Sequence, residues 1–385
     1  MSLDIDGVAV VGGGIGGLAL AVALQRRGVP ATVFERGSAD REVGAGLAVW
    51  SGHLLALRSL GVDTSFARPA AEIWEMQVAN ASGAVLARVD LRSIGARLGA
   101  PSFVVHRRDL LAALGAAVRP GTVRPGVACR GVRQDGSGVV LSLDGVGEVR
   151  ARAVVGADGL RSAVRASLLG EERPRYSGET CYRGVARFRP AEPHVLREVQ
   201  GRGLRAAVCT LDEELVYWWA ALVAPEGERD DPRARRGYLL ERYRGFAFDI
   251  VDALAATDEG SILRHDLSDR LPARSWSRGA VTLLGDAAHP TTPNLGQGAC
   301  MAIDDAVLLA ELLAARPPAE AFIAYESARM APTSSIVGLS LAAGKVGQWR
   351  APLAVRAREL VYRALPRAVF DRALEDRLRR SVPRA

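Results

Sequence analysis

A short β-branched run, Gly7–Val11, passes directly into Gly12-Gly13-Gly14-Ile15-Gly16-Gly17 and then into an apolar helical pattern over Leu18–Arg27. Few chain geometries accommodate a G-x-G-x-x-G sequence at such a junction. Gly12 allows a tight turn, Gly14 lets backbone N–H groups come close to a pyrophosphate, and Gly17 lets helix and strand pack closely. Ile15 and Gly16 open a helix whose N-terminus presents partial positive charge to an anion. Gly28 is placed to end that helix, and a second run, Ala31–Phe34, stops at Glu35. A carboxylate there accepts hydrogen bonds from a ribose diol, which suits a dinucleotide lacking a 2′-phosphate, such as FAD or NAD. The segment therefore predicts a Rossmann-type β–turn–α–β opening.

Composition narrows the remainder. With 385 residues and 49% hydrophobic content, the chain is expected to form two closely packed domains. Cys129, Cys181, Cys209 and Cys300 form no C-x-x-C pair and have no histidine cluster beside them. That spacing argues against a metal site or a disulfide framework and fits the cytoplasm. The N-terminus has no basic n-region, and Val8–Leu24 is broken by glycines, so neither a signal peptide nor a membrane helix is expected there. The net charge of +7 rests on arginine, Lys345 being the only lysine. The arginines are scattered without interleaved aromatics, which excludes nucleic acid as the expected partner. The arginine-for-lysine skew reads first as codon bias of a GC-rich bacterial genome, with a surface that attracts anionic cofactors or an acidic substrate as the functional alternative.

Further along, residues 76–91 read as a hairpin around Ser82-Gly83, and His106–Ala117 as a helix with Leu110, Leu111 and Leu114 on one face. Val127–Val140 reads as a strand pair around Asp135-Gly136, and Ala153–Val155 runs into the loop Gly156-Ala-Asp-Gly159. Strand-like stretches over 182–188, 205–210 and 215–223 carry many of the aromatics, and residues 224–236 read as a surface loop. Ala280–Leu284 is a buried-strand pattern leading into Gly285-Asp286. Ala299–Leu313 is an apolar helix, and the chain from Ala319 is helical and rich in arginine. The segment Arg350–Arg380 sets leucines and valines at helical spacing among arginines. Domain packing is the plain expectation for it, and contact with a membrane surface the alternative.

Four motifs carry a resemblance: the glycine run with Thr32-Val-Phe-Glu-Arg36, Gly44-Ala-Gly46 followed by His106-Arg107-Arg-Asp-Leu110, Val155-Gly-Ala-Asp158-Gly159, and Leu284-Gly-Asp286-Ala-Ala-His289-Pro290 running on to Pro293-Asn-Leu-Gly-Gln-Gly298 and Ile303-Asp-Asp305. In this order the chain resembles the class A flavoprotein monooxygenases, the p-hydroxybenzoate hydroxylase superfamily. The resemblance implies an α/β fold with a Rossmann-like FAD-binding domain of the GR2 type (residues 1–75, 98–175 and 270–345). A mixed β-sheet substrate domain (76–97 and 176–269) is inserted into it, and helices follow at 346–385. It implies one FAD bound non-covalently through Gly12, Gly14, Ile15, Gly16, Gly17, Glu35, Arg36, Ala48, Arg107, Asp158, Asp286 and Leu295-Gly296-Gln297-Gly298-Ala299. Val127, taken as part of the strand after the Arg107 helix, is assigned to the adenine through its backbone. Asp286 would accept from the ribityl hydroxyls, and the amides of Leu295–Gly298 would stabilise negative charge on the flavin. His289 is expected to be structural.

The chemistry implied is reduction of the flavin by transient NAD(P)H, reaction with O2, and oxygen transfer from a C4a-hydroperoxide to a small aromatic or heteroaromatic substrate. Trp50, Arg183, Tyr217, Trp219 and Pro293 are the expected substrate contacts. Arg205 and Tyr217 are the candidate catalytic pair, a feature resembling a bacterial urate hydroxylase subgroup. Ser51-Gly52 departs from the Pro-Asn that many relatives carry there. An epoxidase or other tailoring oxygenase is the alternative enzyme, and a non-catalytic binding protein on the same fold the distant one. A halogenase is disfavoured because Trp-x-Trp-x-Ile-Pro is missing. The protein is expected to be cytoplasmic, a monomer or homodimer, without stable membrane insertion.

Overall fold

The computed structural model describes residues 3–37, 45–136 and 138–379, so Gly44 of the Gly44-Ala-Gly46 motif lies outside the described residues. The chain opens on β1 (Leu3–Val11), turns through the glycines into α1 (Ile15–Arg26) and returns as β2 (Ala31–Glu35). Next come β3 (Gly46–Val49), α2 (Ser51–Ser59), the hairpin β4 (Glu75–Asn80) and β5 (Val85–Asp90), α3 (Leu91–Leu98), β6 (Phe103–His106) and α4 (Arg107–Ala117). A short β7 (Val123–Pro125) precedes β8 (Cys129–Asp135), β9 (Gly138–Leu143), β10 (Gly147–Gly156) and α5 (Ala163–Leu169). The middle of the chain forms β11 (Arg175–Arg187), β12 (Val195–Gln200), β13 (Leu204–Thr210), β14 (Leu215–Val223), α6 (Arg235–Tyr243), α7 (Ile250–Ala255) and β15 (Leu263–Asp269). After β16 (Val281–Leu283), the chain ends in α8 (Gly298–Ala315), α9 (Pro318–Gly347), α10 (Pro352–Ala364) and α11 (Arg367–Arg379).

The first sheet runs β7-β2-β1-β10-β9-β8, with β16 also paired to β10. Strands β2, β1, β10 and β16 are parallel, and the register sets Val11 beside Gly156 and Gly156 beside Leu283. Three motifs far apart in sequence thus leave the sheet at the same carboxyl edge, where ligands of open α/β sheets bind. Helix α1 is apolar nearly all round, Leu18 to Leu24 being buried, because it lies between this sheet and α8.

The second sheet is mixed, in the order β15-β11-β14-β13-β12-β4-β5, the β12–β4 pair being parallel. On β14 the period of two sends Trp218 into the core formed with α6 and α7, where its indole N–H donates to Thr257 Oγ1 (2.7 Å). Tyr217 and Trp219 go to the opposite face, which looks toward the first sheet. Val127 corrects one expectation: it lies in the connection between β7 and β8, not in a strand, because its N–H donates to Glu35 O at the end of β2 (2.9 Å).

Candidate active site

A cavity of about 830 Å³ lies between the two sheets, with Gly14–Gly16 at one end and Tyr217 and Trp219 toward the other. At the glycine end, a Cβ on Gly12 would run into the carbonyl of Ala157, and φ at Gly12 is +108°, so no other residue fits that turn. A Cβ on Gly14 would meet nothing within 4 Å, so its backbone faces open space. Helix α1 has neither a capping side chain nor an acidic residue in its first turn. Its leading amides are therefore available to an anion.

Glu35 Oε2 accepts from Gly13 N (2.5 Å) and Oε1 from Gly37 N (2.6 Å). The carboxylate thus ties the glycine turn to the end of β2, and each oxygen keeps one further acceptor position for a ribose hydroxyl. Arg36 beside it is exposed. Asp158 also serves the fold. Its Oδ2 accepts from the amides of Ala163 (2.7 Å) and Val164 (3.3 Å), capping α5, while its Oδ1 is buried with no donor. Burial pushes this carboxyl above its ordinary value, against the hydrogen bonds from Ser162 and the helix amides.

Asp286 stands exposed to the cavity. The low-dielectric surroundings push its carboxyl up, while His289 and Arg107 pull it down. Arg107 lines the same cavity at the head of α4, its pKa lowered by burial and partly restored by Asp286. The two make a complementary pair over the middle of the cavity. The turn bearing Asp286 is fixed by a network that the sequence motif alone does not disclose. Asp305 Oδ2 accepts from Gly285 N (3.1 Å) and meets His289 Nε2 at 2.6 Å, and Asp305 Oδ1 accepts from Arg329 Nε (2.6 Å). Asp305 is fully buried, yet His289 and Arg329 hold it well below the usual carboxylate range. Arg165 donates to Ala287 O (3.0 Å) and Ala288 O (3.1 Å), clamping the turn from α5.

The segment Pro293–Gly298 lines the cavity and leads into α8, which lacks both a side-chain cap and an acidic first turn. Leu295, Gly296, Gln297, Gly298 and Ala299 line the cavity beside Ala48, Asp286 and Arg107; the Gly296 amide is already used by Pro293 O (2.9 Å), so the amides left for a ligand are those at the uncapped start of α8. Trp50, expected as a substrate wall, also braces this turn: its indole N–H donates to Gly296 O (3.0 Å). Ser51 and Gly52, which replace Pro-Asn, form the first turn of α2.

At the far end, Tyr217 is buried against Gly46, where any Cβ would collide with the ring. Burial raises the Tyr217 phenol well above its ordinary value, and Arg183 works in the other direction. Arg183 opens on the same space with its Nε buried and without an acceptor. Burial disfavours its charge, but Cys181 and Tyr217 alongside more than offset this. Arg205 is committed elsewhere. It donates to Glu179 through Nε (3.2 Å) and Nη2 (2.8 Å), to Glu198 through Nη1 (3.4 Å) and to Asn294 Oδ1 through Nη2 (2.6 Å). It pairs with Ala221 in the sheet, four residues from Tyr217, which puts the two backbones about 13 Å apart. Arg205 and Tyr217 share a cavity wall without meeting. Glu198, Asn294 and His265 were not singled out from the sequence and also line the cavity.

A fold with an uncapped helix start after the glycine turn, an acceptor at the end of β2, an Asp and an Arg facing one cavity and a second uncapped helix start is a site for FAD, and the residues present fit it. The family model described as "FAD binding domain" matches residues 6–330. The chain belongs to this family, and within it to the class A FAD-dependent monooxygenases. It is 40% identical over 360 residues to the aurachin C monooxygenase/isomerase of Stigmatella aurantiaca, covering 93% of this chain and 94% of that one. It is 34% identical to the 2-heptyl-3-hydroxy-4(1H)-quinolone synthase of Pseudomonas aeruginosa, over 96% of this chain and 97% of the relative. Among solved structures, HpxO of Klebsiella pneumoniae complexed with FAD and uric acid superposes with a TM-score of 0.89 at 25% identity, covering 98% and 96% of the two chains. The protein is an FAD-dependent monooxygenase.

Proposed function

We propose that the substrate is a bicyclic nitrogen heteroaromatic of the 4-quinolone class carrying an apolar tail. The observation that carries this reading is the change of chemistry along the cavity. Arg183 presents a guanidinium beside Tyr217 and Trp219, and Met76, Leu196, Phe370 and Leu374 supply an apolar lining. A ring carbonyl accepting from Arg183 would seat the ring against the two aromatics, with its tail along the apolar wall. Similarity over nearly the whole chain to a synthase of a heptyl quinolone supports the same reading.

FAD, when bound, supplies the electron transfer from NAD(P)H and the activation of O2. The chain's own residues bind, orient and exclude water. Glu35 holds a ribose, Asp286 and Arg107 hold the ribityl and pyrophosphate groups, and the first amides of α8 stabilise negative charge on the ring system. Phe370 and Leu374 close the substrate side. An electron-rich ring needs no enzymic base to be attacked, so Arg205 is assigned to architecture. The division of labour between residues 1–75, 98–175 and 270–345 for FAD and 76–97 with 176–269 for substrate belongs to this proposal, as does work in the cytoplasm.

The test is NAD(P)H oxidation by the FAD-loaded protein with a series of 2-alkyl-4(1H)-quinolones. The expected result is stimulation that grows from methyl to heptyl, with a product one oxygen atom heavier. Stimulation by uric acid or salicylate without any response to quinolones would overturn it.

A further inference from the structure

Helix α10 is inside out. Its exposed face carries Leu353, Ala357, Leu360, Val361 and Ala364, at i, i+4, i+7, i+8 and i+11, within an arc of about 100°. Leu353 is 77% exposed, Leu360 66% and Val361 58%. The polar face points inward. Arg358 is buried and donates to Gly201 O (3.0 Å) and Val346 O (3.3 Å), and Glu359 accepts from Asn80 Nδ2 (3.2 Å). An amphipathic surface helix ordinarily buries its apolar stripe. Here the stripe is left outside and continues through Leu365 and Val369 at the start of α11, with Trp349 exposed just before α10.

We infer that this face docks the protein on an anionic phospholipid surface, peripherally and without insertion across it. Three observations select that occupant. Arg356 and Arg363 are exposed and fall together on one side of the stripe, about 85–110° from its axis, where they meet headgroup phosphates as the leucines enter the acyl boundary. A tryptophan at the end of the stripe suits the headgroup level. A second copy of the chain fits less well, because a twofold contact meets itself and would oppose these arginines to their own counterparts. Among the described residues, no helix is long and apolar enough to cross a membrane, which agrees with a helix lying in the surface plane. This surface is independent of which ring is oxidised.

The experiment is flotation of the FAD-loaded full-length protein with vesicles of phosphatidylglycerol and phosphatidylcholine, or of phosphatidylcholine alone. The protein is expected to float with the anionic vesicles, less with the neutral ones, and to be released by high salt. Leu353→Glu and Leu360→Glu should each lower the bound fraction about tenfold, the size expected from withdrawing one leucine from an apolar phase. Both variants should keep their FAD absorbance and NAD(P)H oxidation, which separates loss of docking from loss of fold. Protein that stays unbound, or binding that ignores both substitutions, overturns the inference. So does a dimer in sedimentation that Leu360→Glu dissolves, since the stripe would then be a contact between copies.

Discussion

Arg205 Nη2 and Asn294 Oδ1 meet at 2.6 Å, joining the second sheet to the turn that leads into α8. The same guanidinium neutralises Glu179, and both side chains are buried, at 2% and 1% exposure. Removing one partner of such a pair strands the other charge. Arg205→Ala is therefore expected to cost about 3–5 kcal/mol, whereas the double exchange of Arg205 and Glu179 for leucines should cost markedly less. Urea unfolding of the wild type and the two variants checks this; a double variant that loses clearly more than Arg205→Ala would show that the two charges do not depend on each other.

Asp286→Ala should weaken FAD binding by about 10- to 100-fold, the worth of hydrogen bonds to a charged acceptor. Tyr217→Phe should leave FAD affinity unchanged and alter the fraction of NAD(P)H oxidation coupled to product. Fluorescence titration of the apoprotein with FAD separates the two. Expulsion of FAD by Tyr217→Phe would collapse the distinction between the two ends of the cavity.

Gly46 lies under the Tyr217 ring with no room for a methyl group. Gly46→Ala should destabilise the protein by about 1–3 kcal/mol through overpacking and raise KM for the substrate. Adding Tyr217→Ala should return part of that stability. A double-mutant cycle with no coupling would place the strain elsewhere.

His53 is buried in α2 with Nε2 at 3.5 Å from Asp304. Burial opposes its charge, but Cys300 and Asp304 more than offset that and push it up to about 10 from 6.5. A raised folded pKa gives stability that is complete below pH 6.5 and is lost as pH rises toward 10. Stability should fall by roughly 2 kcal/mol between pH 6.5 and 8 from this group, and His53→Gln should flatten the profile. Denaturant midpoints across that range decide the matter.

Much of the flavin side was legible because its signals are local. The glycine turn, Glu35 and the Asp286 loop each follow a strand directly, and the sheet then gathers them at one edge. What the sequence hid depends on distant partners. Arg205 reads as a catalytic cation until Glu179, 26 residues away, and Asn294, 89 residues away, are seen to occupy it. Trp50 reads as a substrate wall, although its N–H serves Gly296, 246 residues on. Asp158 reads as a ligand to flavin, yet half of its carboxylate caps the helix that follows. Leucine and valine spacing in α10 predicts a helix correctly and the buried face wrongly, because periodicity records a stripe without saying which side of it the protein takes.

Helix α9 runs unbroken from Pro318 to Gly347 and touches both halves of the site. Arg329 holds Asp305, Ser340 O accepts from Asn294, and Lys345 donates to Ser177 O at the start of the second sheet. The nineteen residues from Arg329 to Gly347, Pro332 among them, rise about 27 Å along this one helix. For anyone recombining such oxygenases, the portable cassette is consequently the second sheet together with this rod. A crossover placed between them would graft a new pocket onto a beam cut for another one.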